Sequence, residues 1–292
     1  MKTLRQAKKW VIGARPRTLP AAIAPVLVGT ALIRRDHHSI NFLNALLALL
    51  VSLLLQIAVN YSNDYSDGVR GTDNNRVGPV RLVASGLATP HAVKVAAMLC
   101  FAVASLFGVV LAVRVSWWLV LVGALSILAA WTYTGGTRPY GYLGFGEISV
   151  FLFFGLVATV GSYVVQSHRI TWQSILVSLP VGALSCAILA VNNLRDLPKD
   201  SLVGKRTLAV RLGDLRARKM FIGLLVLAHF AALVAAFISP WTLITLAFIP
   251  ISLRIIKGIR AGAKGAELIP MLGQVGKLQL LFSTSLAIAL LV

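Results

Sequence analysis

Apolar runs separated by short polar breaks dominate the chain from residue 18 onward. Most runs approach the 20 residues that an α-helix needs to cross a hydrocarbon core about 30 Å thick. Nine are read, at about 18–34, 42–60, 92–113, 116–134, 146–166, 173–193, 220–239, 241–257 and 276–292. The pattern predicts an all-α, polytopic membrane protein. No low-complexity linker interrupts it, so residues 1–292 are expected to form a single membrane domain.

Composition agrees: 58% of residues are hydrophobic and the mean hydropathy is +0.83. A net charge of +19 would suit a nucleic-acid partner, but the distribution of the basic residues argues against one. With the N-terminus inside, the N-terminal tail and the loops on its side carry 24 of the 28 Lys and Arg, and the opposite loops carry 4. This bias is the positive-inside pattern. It places the N-terminus in the cytoplasm, the C-terminus outside, and the chain among membrane lipids. Residues 1–17 read as a basic interfacial segment with Trp10 at headgroup level. Arg15, Pro16 and Arg17 break this segment before an apolar run develops, so it is not expected to be a cleavable signal peptide. Cys100 and Cys186 fall within predicted spans and read as structural thiols.

The chain has only nine Asp and Glu, and more than half lie in two short clusters, 60–73 and 192–200. Each cluster closes an apolar run, and a carboxylate at a helix centre in a bilayer costs roughly 2.5–3.5 kcal/mol. Asn60 and Asp64 are four apart, as are Asn192 and Asp196, and the two pairs are offset by 132 residues, which suggests two related halves. Helical spacing would align Asn60, Asp64 and Asp67 on one face and Asn192, Asp196 and Asp200 on another. Amide and carboxylate oxygens without His or Cys suit Mg²⁺ rather than zinc or copper. Arg70, Arg76 and Arg81 follow the first cluster, and Arg195, Lys199, Lys205, Arg206 and Arg211 surround the second. Carboxylates interleaved with cations fit a metal-bridged diphosphate. Asn and Asp after a span also serve as helix caps or loop starts, but two copies on one membrane side favour a site.

The motifs resemble those of the UbiA superfamily of intramembrane prenyltransferases. The resemblance rests on Asn60, Asp64, Asp67 and Asp73, and on Asn192, Asp196 and Asp200 followed by Lys205-Arg-Thr-Leu-Ala-Val-Arg-Leu-Gly213. The stretches 14–20, 77–86 and 133–147 are similar to the branch acting on 1,4-dihydroxy-2-naphthoate in menaquinone biosynthesis. The resemblance covers essentially the whole chain. It implies nine helices around a central cavity, a lateral opening to lipid, and a cytoplasmic cap carrying both motifs, in the cell membrane. It also implies a polyprenyl diphosphate and 1,4-dihydroxy-2-naphthoate as substrates, Mg²⁺ as cofactor, and demethylmenaquinone with CO₂ as products.

On that reading the metal ligands are Asn60, Asp64, Asp67, Asp73, Asn192, Asp196 and Asp200, with the Asp pairs 64/67 and 196/200 central to catalysis. Arg70, Arg81, Lys205 and Tyr133 would bind the diphosphate. Arg138, Tyr140 and Glu147 would meet the aromatic acceptor, with Arg138 holding a carboxylate and Glu147 polarising a hydroxyl or orienting Arg138. The same aromatics could instead form an interfacial belt, with Glu147 favouring a helix N-terminus. Asp67 stands three residues after Asp64 where many members have four, so the first motif could start at Asn60 or at Asn63, and Asp73 could be a ligand or not.

The remaining polar residues offer no rival site. His37 and His38 fall in an external loop beside Asp36, Arg34 and Arg35, and Asp214 and Glu267 read as surface charges. A transporter with paired motifs would put ionisable groups near the midplane, whereas these gather at one face. Another aromatic acceptor, 4-hydroxybenzoate or homogentisate, is the alternative within the superfamily. CDP-alcohol phosphotransferases use one continuous Asp-rich run, of which residues 67–70 give only a fragment.

Overall fold

A computed structural model describes residues 2–72 and 78–292, with side chains from Lys8 onward; Asp73 and Arg76 lie outside the described residues. Every regular element among them is helical. The helices are α1 (Lys2–Ala14), α2 (Pro20–Leu32), α3 (Phe42–Val69), α4 (Pro90–Arg114), α5 (Trp118–Thr132), α6 (Gly146–Val150), α7 (Ala158–Ser167), α8 (Trp172–Leu202), α9 (Leu208–Val234), α10 (Ile249–Arg260) and α11 (Leu268–Leu291). A π-helical stretch, Phe151–Val157, joins α6 to α7, and a 3₁₀ stretch, Pro240–Phe248, leads into α10.

Seven helical units are long and apolar enough to cross a bilayer, and a pair bent by 56°, Lys8–Thr18 with Pro20–Asp36, would make an eighth. The chain is therefore a multi-pass membrane protein. The expected span at 116–134 corresponds to α5, which has 15 residues and at 1.5 Å per residue reaches only about 22 Å. The bend in the first pair centres on Arg15, whose left-handed backbone (φ 53°) precedes Pro16.

Two helices extend well past the hydropathic boundaries. The expected spans 42–60 and 173–193 stop where polar residues begin, yet α3 runs to Val69 and α8 to Leu202. Polar side chains end a hydrophobic run without ending the backbone hydrogen-bond ladder. Asn60, Asn63, Asp64 and Asp67 of the first cluster and Asn192 to Asp200 of the second thus sit on helix, not on caps or loops. Helix starts follow ordinary capping chemistry. Asn41 accepts from the amide of Asn44 ahead of α3, and Thr171 and Ser174 form a capping box at α8.

α8 is the central element: 78% of its apolar stretch is buried, against 28% for α3 and α4. Its inner residues, including Val181, Leu184, Ala187 and Val191, share one core with Val28 of α2, Phe221 and Leu225 of α9, Ile255 of α10 and Phe282 of α11. A smaller core joins Tyr61 of α3 to Leu82, Val93 and Ala97. Trp10 packs edge-to-face on Tyr61, with centroids 5.7 Å apart, so the amphipathic α1 lies against α3.

Asp214 and Glu267, expected to be surface charges, are exposed, and each also makes a local bond. Arg218 is buried, grips Asp214 through two bonds of 2.7 and 2.9 Å, and donates to the carbonyls of Ile259 (2.6 Å) and Ala263 (2.9 Å), so Arg218, oriented by Asp214, anchors α9 to the end of α10. Glu267 accepts from the amide of Lys264 at 3.1 Å. Asp36 pairs with Arg169 (3.1 Å) and accepts from the Tyr163 hydroxyl, rather than pairing with Arg34 or Arg35. Both cysteines are free thiols, as expected.

Gly155 and Gly182 let two helical segments approach closely: a Cβ added at Gly155 would lie 2.7 Å from the Gly182 Cα. Small residues permit such contact between membrane helices. Gly155→Ala is expected to cost about 1–3 kcal/mol through overpacking, lowering the melting temperature in detergent. Gly223→Ala, whose Cβ would meet nothing within 4 Å, is expected to leave it unchanged.

Candidate active site

α3 and α8 project their polar ends on either side of a pocket of about 110 Å³. α3 contributes Asn63 and Asp67; α8 contributes Asn192, Asn193, Asp196, Lys199 and Asp200. Arg15, Thr72, Arg81, Tyr133, Tyr142, Lys205 and Thr207 complete the lining. A second, apolar cavity of about 280 Å³ extends between α2, α3, α4, α5, the 149–165 region and α8. The two share Arg15, Asn63, Tyr133, Leu189 and Asn192. Arg15 is the only charged residue among the described residues lining the apolar cavity.

Electrostatics pull the surrounding loops onto α3. Asp67 accepts from Lys205 Nζ at 3.0 Å, from the Tyr142 hydroxyl and from the Thr72 hydroxyl at 3.3 Å. Lys205 Nζ also lies 4.5 Å from the centre of the Tyr142 ring. Burial works against the charge of Lys205, but Asp67 beside it, helped by Tyr142 and Asp200, carries its pKa above the ordinary value. Burial, reinforced by Asp67, pushes the Tyr142 phenol up, and burial and then Glu147 push Tyr133 well above 10.0. Both phenols therefore remain protonated donors at neutral pH.

The first cluster is rotated relative to its expected face. Asn63 and Asp67, one helical turn apart, face Asn192 and Asp196 across the pocket, an offset of 129 rather than 132. Asn60 points to the apolar cavity and donates to the carbonyl of Ala14 (2.9 Å) and to the Thr18 hydroxyl (3.1 Å). Asp64 is fully buried, lines neither cavity, and accepts from the amides of Leu82 (2.8 Å) and Val83 (3.0 Å). Asp196 is held by the buried Arg195 through bonds of 2.7 and 2.8 Å. The expected ligand Asp73 lies outside the described residues.

Three further expectations need correction. Arg70 is exposed and donates to the carbonyls of Thr134 and Gly136, so it braces a loop instead of lining the pocket. Arg138 is exposed and lines neither cavity. Glu147 is buried and accepts from the Asn193 amide at 2.9 Å; its carboxylate is engaged on α8 rather than with Arg138. Tyr140 does line the apolar cavity, with its hydroxyl bonded to Ala129 O and Ser149 Oγ, both at 2.8 Å. Arg81, Lys205 and Tyr133 all reach the polar pocket, as expected.

Sequence reasoning missed Arg15, Tyr142 and Asn193. Arg15 looked like one more basic residue of the tail, and only the left-handed turn before Pro16 brings it to the seam between the cavities. Tyr142 carried no signal of its own within the 133–147 stretch. Asn193 was hidden by its neighbour Asn192, which carries the helical spacing; Glu147, the isolated acid nearby in the fold, was the available signal.

The donors suit a hard divalent cation. Three carboxylates and three carboxamides from facing helices line one pocket together with Arg81, Lys199 and Lys205. Among the described residues no three acid, imidazole or thiol groups converge tightly enough to cage an ion by themselves. That matches the preference of Mg²⁺ for a few carboxylates supplemented by water and substrate phosphate.

Residues 22–267 match the UbiA prenyltransferase family. The 1,4-dihydroxy-2-naphthoate octaprenyltransferase of Mycobacterium tuberculosis is 50% identical over 282 residues, covering 97% of this chain and 96% of that protein. The Escherichia coli protein of the same name is 42% identical over 223 residues, covering 74% of this chain and 72% of its own. Among solved structures, a UbiA homolog from Archaeoglobus fulgidus bound to GPP and Mg²⁺ superposes with a TM-score of 0.71 at 15% identity, covering 97% of this chain and 99% of that one.

The contact between Asp67 and Lys205 predicts strong coupling. Asp67→Leu strands a buried ammonium, a change typically costing about 3–5 kcal/mol, whereas adding Lys205→Met removes the stranded charge. The double variant is expected to melt above Asp67→Leu in detergent; additive losses would show that the pair is not coupled. Asp64→Asn is expected to lower the melting temperature as well as the activity, since it weakens acceptance from the Leu82 and Val83 amides.

Proposed function

The chain belongs to the UbiA prenyltransferase family, and from that premise we propose that it transfers a polyprenyl group from an allylic diphosphate to 1,4-dihydroxy-2-naphthoate, releasing diphosphate and CO₂. The observation that carries this reading is a pocket of acids, amides and cations abutting an apolar cavity whose only charged lining, among the described residues, is Arg15. One end suits a diphosphate and the other an isoprenoid. The naphthoate assignment follows the names of the bacterial relatives.

In this mechanism Arg81, Lys199 and Lys205 draw the diphosphate into the polar pocket. Asn63, Asp67, Asn192, Asp196 and Asp200 would hold Mg²⁺, and Mg²⁺ is present in a structural neighbour. When bound, it supplies the charge that stabilises the departing diphosphate. The protonated Tyr142 and Tyr133 add donors at the pocket wall. As the allylic C–O bond breaks, its electron pair leaves with the diphosphate. The ring carbon bearing the carboxylate supplies the pair for the new C–C bond. Loss of CO₂ returns a pair to the ring, giving demethylmenaquinone at the hydroquinone level. The apolar cavity keeps water away from the allylic cation. Arg15, at the seam, faces the acceptor carboxylate.

We read the chain as one membrane domain of nine helical units built from two related halves, with its N-terminus and both motifs on the cytoplasmic side of the cell membrane. The 24-to-4 partition of Lys and Arg supports that orientation.

Purified protein given Mg²⁺, a polyprenyl diphosphate and 1,4-dihydroxy-2-naphthoate is expected to form demethylmenaquinone, with chelation stopping turnover and Mg²⁺ restoring it. Product with 4-hydroxybenzoate but not with the naphthoate would overturn the acceptor assignment. Asp196→Asn and Asp200→Asn are each expected to cut turnover by about 100-fold or more while the protein stays folded in detergent; retained activity in both would remove the proposed metal site.

A further inference from the structure

Glu147 poses a problem that stability does not solve. Its side chain is 93% buried, one carboxylate oxygen accepts from the Asn193 amide at 2.9 Å, and the other has no hydrogen-bond partner in the structure. Among the described residues no ion pair joins it to Lys or Arg. A buried acid held by a single neutral amide is expensive, and an apolar residue of similar volume at such a place is often neutral or stabilising. Its backbone needs no carboxylate either, since the Glu147 carbonyl is already met by the Cys186 thiol at 3.2 Å.

What the carboxylate does accomplish is to orient an amide. Asn193 lines the polar pocket beside Asp67, Asp196 and Asp200. A carboxamide has a donor end and an acceptor end, and which way it points is dictated by its partners. The Asn193 NH₂ donates to Glu147 Oε1 at 2.9 Å, which commits the donor end to Glu147 and leaves the amide oxygen as the end available to the pocket. An amide oxygen there is a poor partner for an anionic diphosphate and a good one for a hydroxyl donor.

We propose that Glu147 is a positioning residue that fixes Asn193 so that its amide oxygen accepts a hydrogen bond from a ring hydroxyl of the aromatic acceptor. Asn193 is thereby a specificity determinant for hydroxylated acceptors. This rests on the prenyl-transfer reading above. It separates the two ends of the site by polarity: cations and tyrosine hydroxyls for the diphosphate, an oriented oxygen for the acceptor.

The test compares Glu147→Leu, Glu147→Gln, Asn193→Ala and the Glu147→Leu/Asn193→Ala double variant in full-length protein, by steady-state kinetics and detergent melting. Glu147→Leu and Asn193→Ala are each expected to raise the acceptor KM by roughly 10-fold, the worth of one hydrogen bond, with the prenyl diphosphate KM unchanged. The double variant is expected to be no worse than either single one, because both break the same contact. Glu147→Gln retains an oxygen that can accept from Asn193 and is expected to recover most of the affinity. Glu147→Leu is expected to melt no lower than the wild type. With 1-hydroxy-2-naphthoate and 4-hydroxy-2-naphthoate as single-hydroxyl probes, the penalty is expected to persist for one and vanish for the other. Equal effects on both KM values, additive losses, or a lower melting temperature with unchanged kinetics would each overturn the proposal. If the wild type fails to turn over the naphthoate at all, the reading of the reaction itself falls; if it turns over and the variants show no acceptor-specific change, only this inference falls.

Discussion

A carboxylate held beside hydrocarbon must find a donor, and that requirement shapes most of the polar half of this protein. The described acids are met in different ways. Asp64 takes two backbone amides, Asp67 a lysine and a phenol, Asp196 an arginine fork, Asp214 a second arginine, and Glu147 a carboxamide. Those of Asp64, Asp67 and Glu147 fasten a helix to a loop or to another helix, whereas Asp196 and Asp214 hold arginines of their own helices, and Arg218 carries that tie on to the end of α10. With few acids in the chain, nearly every one becomes a structural tie as well as a candidate for chemistry.

The ties converge on α3. Through Asp64 it holds the 82–83 segment, and through Asp67 it holds Lys205 and Tyr142, which lie in loops far apart in the chain. Asp67, which would share a metal and a diphosphate, thus also assembles the wall of the polar pocket, while Asp64 holds the 82–83 segment without lining the pocket. Pocket and fold are not separable here, because a change to the ligand set also releases the loops. This is the usual tension between stability and function at an active site, made sharper by the cost of charge near a bilayer.

Polarity then divides the interior. Charge is confined to one end of the α3–α8 pair, and the adjoining cavity is apolar except at the Arg15 seam. Chemistry that separates an anion from a carbocation needs this division: cations and a metal where negative charge collects, and a dry apolar wall where the cation must survive. α8 provides both, with a buried apolar stretch below and Asn192 to Asp200 above. Its extension past the hydropathic boundary is what makes a continuous path between them.

The chain's membrane character, most of its helices, the clustering of its acids and a donor set of a kind that suits a hard cation were legible in the sequence, because hydropathy, charge bias and ligand chemistry depend on composition and local spacing. Helical periodicity could also say which residues share a face. It could not say which face meets α8, so it leaves the first motif starting at Asn60 or at Asn63, and only packing brings Asn63 and Asp67 to the pocket. The same blindness affected the loops. Arg70 and Arg138 looked like ligands because they are cationic and near the motifs, yet packing sends them elsewhere, while Tyr142, Arg15 and Asn193 reach the site. Which face of a helix is buried, and where a loop side chain ends up, depend on contacts between residues distant in the chain, and those only the tertiary structure decided.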